Sequence, residues 1–272
     1  MRGIEKYLEV ACRTAREAGL MLKEGLDRGM KISFKGVVDL VTNCDTLSQK
    51  MIFERLTAAF PRHGILAEES LSHAIESEYR WVVDPLDGTT NFAHRLPFFC
   101  VSMALEHRGK VILGVVYDPV RDEMFTAAAG RGACLNGKKI RVSGISNLTR
   151  GLVATGFPYD VRESRINNIR HFNNFLTRAQ AVRRLGSAAI ELCYVGCGRL
   201  DGFWELKLKP WDASAGGLIV QEAGGKVTNF AGGAFNPYHP EVLGTNGLIH
   251  EAMRRVLNLP EKESPGSSGG RA

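Results

Sequence analysis

Apolar residues recur every three or four positions from Ile4 through Leu8, Ala11, Ala15, Ala18 and Leu22 to Leu26. That spacing predicts one amphipathic helix over 4–29, with Gly29 as its stop. Val37–Thr42 is a short β-type run, and Asp45 is placed to cap a helix that continues to about Phe60, where Pro61 ends it. Gly64–Ala67 and Trp81–Val83 are brief apolar runs of the buried-strand kind, and each leads straight into carboxylates. Cys100–Glu106, Lys110–Tyr117 and Glu123–Ala128 predict a meander, and Asn136-Gly137 marks a tight hairpin. After Gly151 the pattern turns to strands alternating with helices. Val153 opens it, followed by a helix near Ile166–Arg178 and a strand near Val182. A helix over Ser187–Cys197, a strand at Phe203–Glu205 and a helix over Asp212–Glu222 come next. Strands near Lys226–Thr228 and Val242–Gly244 lead into a last helix over Gly247–Leu257. The fold class expected is a layered sandwich of α+β or α/β type. With no repeat and no Pro/Gly/Ser linker, residues 1–259 read as one unit of two packed halves, about 1–147 and 148–259, and 260–272 as a disordered tail.

Composition narrows the class. The 272 residues are 44% hydrophobic and 24% charged, which suits a globular chain and excludes collagen-like, coiled-coil and small disulfide-stapled proteins. Thirty-five basic against 29 acidic residues leave a net charge of +6, compatible with anionic small molecules. There is no block of five like charges and no basic stretch interleaved with aromatics, so direct nucleic-acid binding is not expected. No apolar run approaches the ~20 residues that span a bilayer, and the charged N-terminus is unlike a secretory signal. Six cysteines are too sparse for a disulfide framework, and Cys193 and Cys197 lack CxxC spacing. Free thiols in a reducing cytoplasm are expected, where the Asn147-Leu148-Thr149 sequon carries no glycan.

Acidic residues stand at four strand ends or helix starts: Asp45, Glu68-Glu69, Asp84 with Asp87, and Asp212. Taken singly, Asp45 and Asp212 also read as helix caps. The segment Asp84-Pro85-Leu86-Asp87-Gly88-Thr89-Thr90-Asn91-Phe92 carries more information. Pro85 lacks an N–H, so the strand's ladder is expected to end at Asp84. Gly88 permits close backbone approach or a positive φ, and Thr89 and Thr90 suit the first turn of a following element. Two carboxylates beside exposed amides would repel a phosphate unless divalent cations lie between them. Oxygen donors, with no His or Cys in the motif, favour Mg²⁺ over zinc as that cation.

Asp84–Phe92 (DPLDGTTNF), Ala67–Ser70 (AEES) and Trp211–Gly216 (WDASAG) resemble the three signature motifs of the inositol monophosphatase family, lithium-sensitive Mg²⁺-dependent phosphatases. The resemblance runs from the first helix to about residue 257 and is closest to the bacterial inositol-1-monophosphatase branch. It implies a five-layer αβαβα sandwich and a homodimer. By the same resemblance Glu68, Asp84, the Leu86 carbonyl, Asp87 and Asp212 are metal ligands for two Mg²⁺ ions bridged by Asp84. A third, weaker ion near Glu68 occurs in some relatives. Thr89 with Asp45 orients the attacking water, which Glu68 shares, and the Gly88 and Thr89 amides hold the phosphate. Gly186, Ser187, Ala188 and Glu205 meet the hydroxyls of a sugar-like ring, while Asp87 and Asp212 also face the substrate. Lys209 and Arg183 or Arg184 could add positive charge; Glu69 is left without a role.

Other readings are weaker. Gly132–Lys139 falls one residue short of a nucleotide-binding loop, since Lys139 stands where a Ser or Thr would hold Mg²⁺. His94 reads as a polar surface histidine or a neighbour of the site, and no G-x-S-x-G elbow is present. The expected function is therefore hydrolysis of inositol monophosphate by metal-activated water. Within the superfamily the competitors are fructose-1,6-bisphosphatase and 3′-phosphoadenosine phosphatase. From another class, some bacterial relatives serve as transcription-antitermination factors, with partners in a transcription complex.

Overall fold

The N-terminal periodicity forms α1 (Ile4–Arg28), which turns Ala11, Ala15, Ala18 and Leu22 into the core. The computed structural model describes residues 3–28, 32–34, 40–68 and 76–259; Gly29, Val37–Asp39 and the tail 260–272 lie outside them. A two-stranded ribbon, β1 (Ile32–Phe34) with β2 (Leu40–Thr42), follows, and its first strand has no counterpart in the sequence pattern. α2 (Asn43–Ala59) begins two residues before Asp45, so Asp45 sits inside the first turn rather than at the cap. Its carboxylate is buried and lies 3.1 Å from the Thr89 hydroxyl.

The first sheet has the order β3-β4-β5-β6-β7-β8-β9. It runs from β3 (Gly64–Ala67) and β4 (Tyr79–Asp87) through the meander β5 (Cys100–His107), β6 (Lys110–Asp118) and β7 (Glu123–Ala128). β8 (Gly132–Leu135) and β9 (Lys138–Lys139) close it around Asn136 and Gly137, at φ 48° and 76°, the paired positive angles of a type I′ turn. Alternation along the strands gives two apolar faces. Trp81, Val83, Val101, Met103 and Leu105 pack under α1 and α2, while Val82, Ala104, Val116 and Phe125 face the opposite way.

On that second face lie α5 (Ala188–Gly196) and α6 (Pro210–Glu222). α6 presses directly on β6, because a Cβ on Gly114 would come within 2.8 Å of the Ala215 carbonyl oxygen. Both helices are buried over most of their length, as befits a layer covered on both sides. Their far side packs on a second sheet of order β11-β10-β12-β14-β13, through Ala188, Leu192, Ala213 and Val220. That sheet comprises β10 (Leu152–Thr155), β11 (Ala181–Arg183), β12 (Gly202–Leu206), β13 (Lys226–Thr228) and β14 (Glu241–Thr245). α4 (Ile169–Leu176) and α7 (His250–Leu257) cover its outer face through Phe175, Met253 and Val256 against Trp204 and Leu243. The layers therefore run α, β, α, β, α, as expected. α4 is shorter than the Ile166–Arg178 pattern, since Asn168 is drawn into the core ahead of it.

Candidate active site

The strand carrying Asp84 does not end there, as the proline suggests; it crosses a bulge. Asp84 pairs with Ser102 and Asp87 with Cys100, so one extra residue is accommodated between them. Pro85 occupies the bulge, where its missing N–H costs nothing. Asp84 Oδ1 accepts the Leu86 amide at 3.0 Å, and Ser48 Oγ donates to the Pro85 carbonyl at 2.8 Å. The effect is to aim Asp84, the Leu86 backbone and Asp87 into one cleft. Gly88 follows at φ 95°, and a Cβ there would come within 3.0 Å of the Phe98 carbonyl oxygen, so glycine is required by conformation and by space. α3 (Thr89–Ala93) starts at once, with Thr89 Oγ1 positioned to donate to Asp45 Oδ1 at 3.1 Å or to the Leu86 carbonyl at 3.0 Å. Asn91 donates to the carbonyls of Phe98 and Leu185, both at 2.8 Å, and so ties this turn to the segment entering α5.

The two central helices present their N-terminal ends to the same cleft. Ser187 caps α5, and its hydroxyl donates to Asp87 Oδ2 at 2.6 Å; the Ala189 amide reaches the same oxygen at 2.8 Å. Asp212 lies in the first turn of α6, where its Oδ2 accepts the Lys209 amide at 2.7 Å. Asp212 thus bonds the start of α6 and lines the cleft at the same time. Glu205 comes from β12 and closes the far end. The cleft has a volume of about 480 Å³ and joins Glu68, Asp84, Asp87, Thr89, Glu205 and Asp212, with Gly88, Gly186, Ser187 and Ala188 along its wall.

Electrostatically the carboxylates act as one group. Burial raises the pKa of Asp84 well above the usual range, and the charges of Glu68, Asp87 and Asp212 raise it further. Asp212 is raised by burial and by Asp87, against the pull of the Lys209 amide. Asp87 is raised by burial and restrained by its bonds from Ser187 and Ala189. Glu205 is pushed up by burial and by Glu191, while Arg184 pulls the other way. Glu191 lies fully buried beneath the Leu185–Gly186 turn, accepts the Leu185 amide at 3.1 Å and is driven to about 8 by desolvation. Among the described residues no three His, Cys, Asp or Glu side chains are drawn together as a finished ion-binding group, so the acids surround a cleft rather than a point. The donor chemistry nevertheless fits a hard divalent cation: the described lining holds carboxylates and carbonyls and neither histidine nor cysteine. Mutual repulsion among buried acids is what such a cation relieves.

Of the sequence candidates within the described residues, Glu68, Asp84, Leu86, Asp87, Gly88, Thr89, Gly186, Ser187, Ala188, Glu205 and Asp212 line this cleft. Asp45 is outside the lining, with its Oδ1 3.1 Å from the Thr89 hydroxyl. Arg184 and Lys209 line the cleft, whereas Arg183 is exposed and turns to the Val182 carbonyl. His94 is exposed at the end of α3, away from the lining, and Glu69 lies outside the described residues. The Gly132–Lys139 segment is the β8–β9 hairpin. The sequence reading missed the wall Gly156–Asp160 and Lys207, which donates to Asp160 Oδ2 at 2.6 Å across the mouth. A signal was present in Gly156-Phe157-Pro158, placed directly after a strand.

A layered αβαβα sandwich that gathers acids at the seam of its two sheets has the architecture of a metal-dependent phosphatase. Comparison with known proteins narrows this. The family model described as "Inositol monophosphatase family" matches residues 4–259, and the chain belongs to that family. Inositol monophosphatase 2 of Solanum lycopersicum is 42% identical over 265 residues, covering 95% of this chain and 100% of that protein. The Nus factor SuhB of Salmonella typhimurium (strain 14028s / SGSC 2262) is 43% identical over 249 residues, covering 90% and 93%. The solved inositol monophosphatase of Anabaena (Nostoc) sp. PCC 7120 superposes with a TM-score of 0.86 at 42% identity, covering 94% of this chain and 96% of that one.

Proposed function

We propose that the protein is a Mg²⁺-dependent phosphomonoesterase that hydrolyses inositol monophosphate to inositol and phosphate by direct attack of water. The observation that carries this reading is one cleft in which Glu68 after β3, Asp87 of β4 and Asp212 of α6 surround the buried Asp84 and add to the rise in its pKa, beside the Thr89–Asp45 pair. Glu68, Asp84, the Leu86 carbonyl, Asp87 and Asp212 would hold two Mg²⁺ ions, with a third, weaker one near Glu68. Bound there, Mg²⁺ supplies neutralisation of the phosphate's charge and acidification of water.

The chain's own groups do the rest. Thr89, when its hydroxyl hydrogen goes to Asp45, keeps oxygen lone pairs to accept a water O–H and so orients the nucleophile. Gly88 and Thr89 amides steady the phosphoryl oxygens, so the in-line displacement needs positioning more than covalent chemistry. At the far end Glu205 accepts ring hydroxyls. Ser187 spends its own hydroxyl on Asp87, which leaves Gly186, Ser187 and Ala188 to offer backbone and room. A homodimer in the cytoplasm, inhibited by lithium, completes the proposal; no helix of the described residues is long and apolar enough to cross a membrane.

A panel comparing kcat/KM for inositol 1-phosphate, fructose 1,6-bisphosphate and 3′-phosphoadenosine 5′-phosphate tests the substrate. Inositol 1-phosphate should lead, and faster turnover of either bisphosphate would overturn the choice. The similarity to Nus factors supports a second role in a transcription complex. Capture of transcription proteins by wild type and equally by inactive Asp87→Asn would establish it as separable from hydrolysis, and no capture by either would dismiss it.

A further inference from the structure

β10 and β12 run parallel, Thr155 opposite Trp204, so that the next residues, Gly156 and Glu205, emerge side by side at the cleft. Alternation places both on the face toward α5 and α6, with Ala154 and Phe203. A Cβ built on Gly156 would lie 2.1 Å from Glu205 Oε1 and 2.4 Å from both Cδ and Oε2, and these are its three nearest neighbours. The carboxylate therefore lies back over the Gly156 α-carbon, in the volume any side chain would claim. Gly156 has no positive φ, unlike Gly88 and Gly186, so its backbone is one that alanine adopts freely. Space, not conformation, is what calls for glycine here.

The peptide beneath the carboxylate is pinned. Asn168, 2% exposed, donates to the Gly156 carbonyl at 2.6 Å and to Thr155 Oγ1 at 2.8 Å, and accepts from Trp204 Nε1 at 2.8 Å. Thr155 Oγ1 in turn donates to the Trp204 carbonyl at 2.5 Å. This buried network joins the two strand ends and leaves Gly156 no freedom to retreat from Glu205.

We propose that Gly156 is a specificity-determining residue: lacking a side chain, it seats the Glu205 carboxylate at the back of the cleft, which keeps the space in front open for a polyol ring and aims the acid at its hydroxyls. The inference rests on the reading of Glu205 as the hydroxyl acceptor. A methyl at position 156 must push the carboxylate forward into the ring's place.

The test compares Gly156→Ala, Glu205→Ala and the double variant with wild type. The readout is kcat/KM for inositol 1-phosphate divided by that for phenyl phosphate, whose leaving group has no ring hydroxyls. Gly156→Ala should lower the ratio about tenfold, mainly through KM for inositol 1-phosphate, the size expected when one polyol contact is misplaced. In the Glu205→Ala background it should change nothing further, because the methyl then enters vacated space. An unchanged ratio in Gly156→Ala, or an equal drop in both backgrounds, overturns the proposal. If Glu205→Ala itself leaves the ratio intact, the functional reading of Glu205 fails instead. Should Gly156→Ala not fold while the double variant does, the rescue supports the seat; failure of both to fold overturns it.

Discussion

Replacing Asp212 with asparagine removes one charge from the cleft and preserves side-chain volume. Asp212 Oδ2 accepts the Lys209 amide at 2.7 Å in the cap of α6, and an asparagine carbonyl can take over that bond. Asp212→Ala loses it, at about 0.5–2 kcal/mol. With the carbonyl on Lys209, the new Nδ2 faces the cleft, toward the Asp87 and Glu68 charges that raise the native group's pKa. A donor among acids relieves repulsion, so in chelator the Asp212→Asn melting midpoint should match or exceed that of wild type, within about 1 kcal/mol of stability. Activity should respond very differently. Groups that merely orient a metal ligand are worth about 10–100-fold, so loss of a ligand should lower kcat/KM by more than about 100-fold, or about 2.7 kcal/mol of transition-state stabilisation. The assay is phosphate release from inositol 1-phosphate at saturating Mg²⁺, beside thermal melts followed by circular dichroism. Turnover within about threefold of wild type would refute the assignment of Asp212 as a ligand.

Other outcomes follow from the same geometry. Thr89→Val should lower kcat about 100-fold or more with little change in KM, and Thr89→Ser should recover most of it, as steady-state kinetics will show. Ser187→Ala deletes the 2.6 Å bond to Asp87 and should destabilise the fold by about 1.5–3 kcal/mol in urea titrations. Gly114→Val drives a side chain into the Ala215 backbone and should cost at least about 1–3 kcal/mol by the same measurement. His250, fully buried between Thr228 and Thr245, is lowered to about 4 by desolvation and by Lys226. Its folded pKa is below the unfolded one, so it costs no stability above about pH 6.5. Between about pH 6.5 and 4 the unfolded chain takes up the proton first, and about 3 kcal/mol is lost. Melting midpoints of wild type should decline across that window more steeply than those of His250→Gln.

Much of this architecture is legible because its signals are local. The helical spacing of α1 and the paired φ > 0 residues of Asn136-Gly137 depend on neighbours in sequence alone. The acids were legible as well, since Asp84, Asp87 and Gly88 fall within one short run. What escaped was set by distant partners. Pro85 suggests a strand end, yet the Ser48 hydroxyl on its carbonyl and the resumed pairing of Asp87 with Cys100 make it a bulge. Asn168 belongs to an apparent helix until Trp204 and Thr155 recruit its amide. Gly156 looks like any glycine after a strand; its meaning lies in Glu205, brought beside it by parallel pairing.

If the protein works as proposed, acids from separate elements hold divalent cations against a phosphate. Crystals soaked with Mn²⁺ and inorganic phosphate, examined by anomalous diffraction, test it most directly, since Mn²⁺ shares the oxygen preference of Mg²⁺. Anomalous peaks should appear bounded by Glu68, Asp84, Asp87 and Asp212, with phosphate beside Gly88 and Thr89. Mn²⁺ bound elsewhere on the chain, with those carboxylates left without an ion, would contradict it.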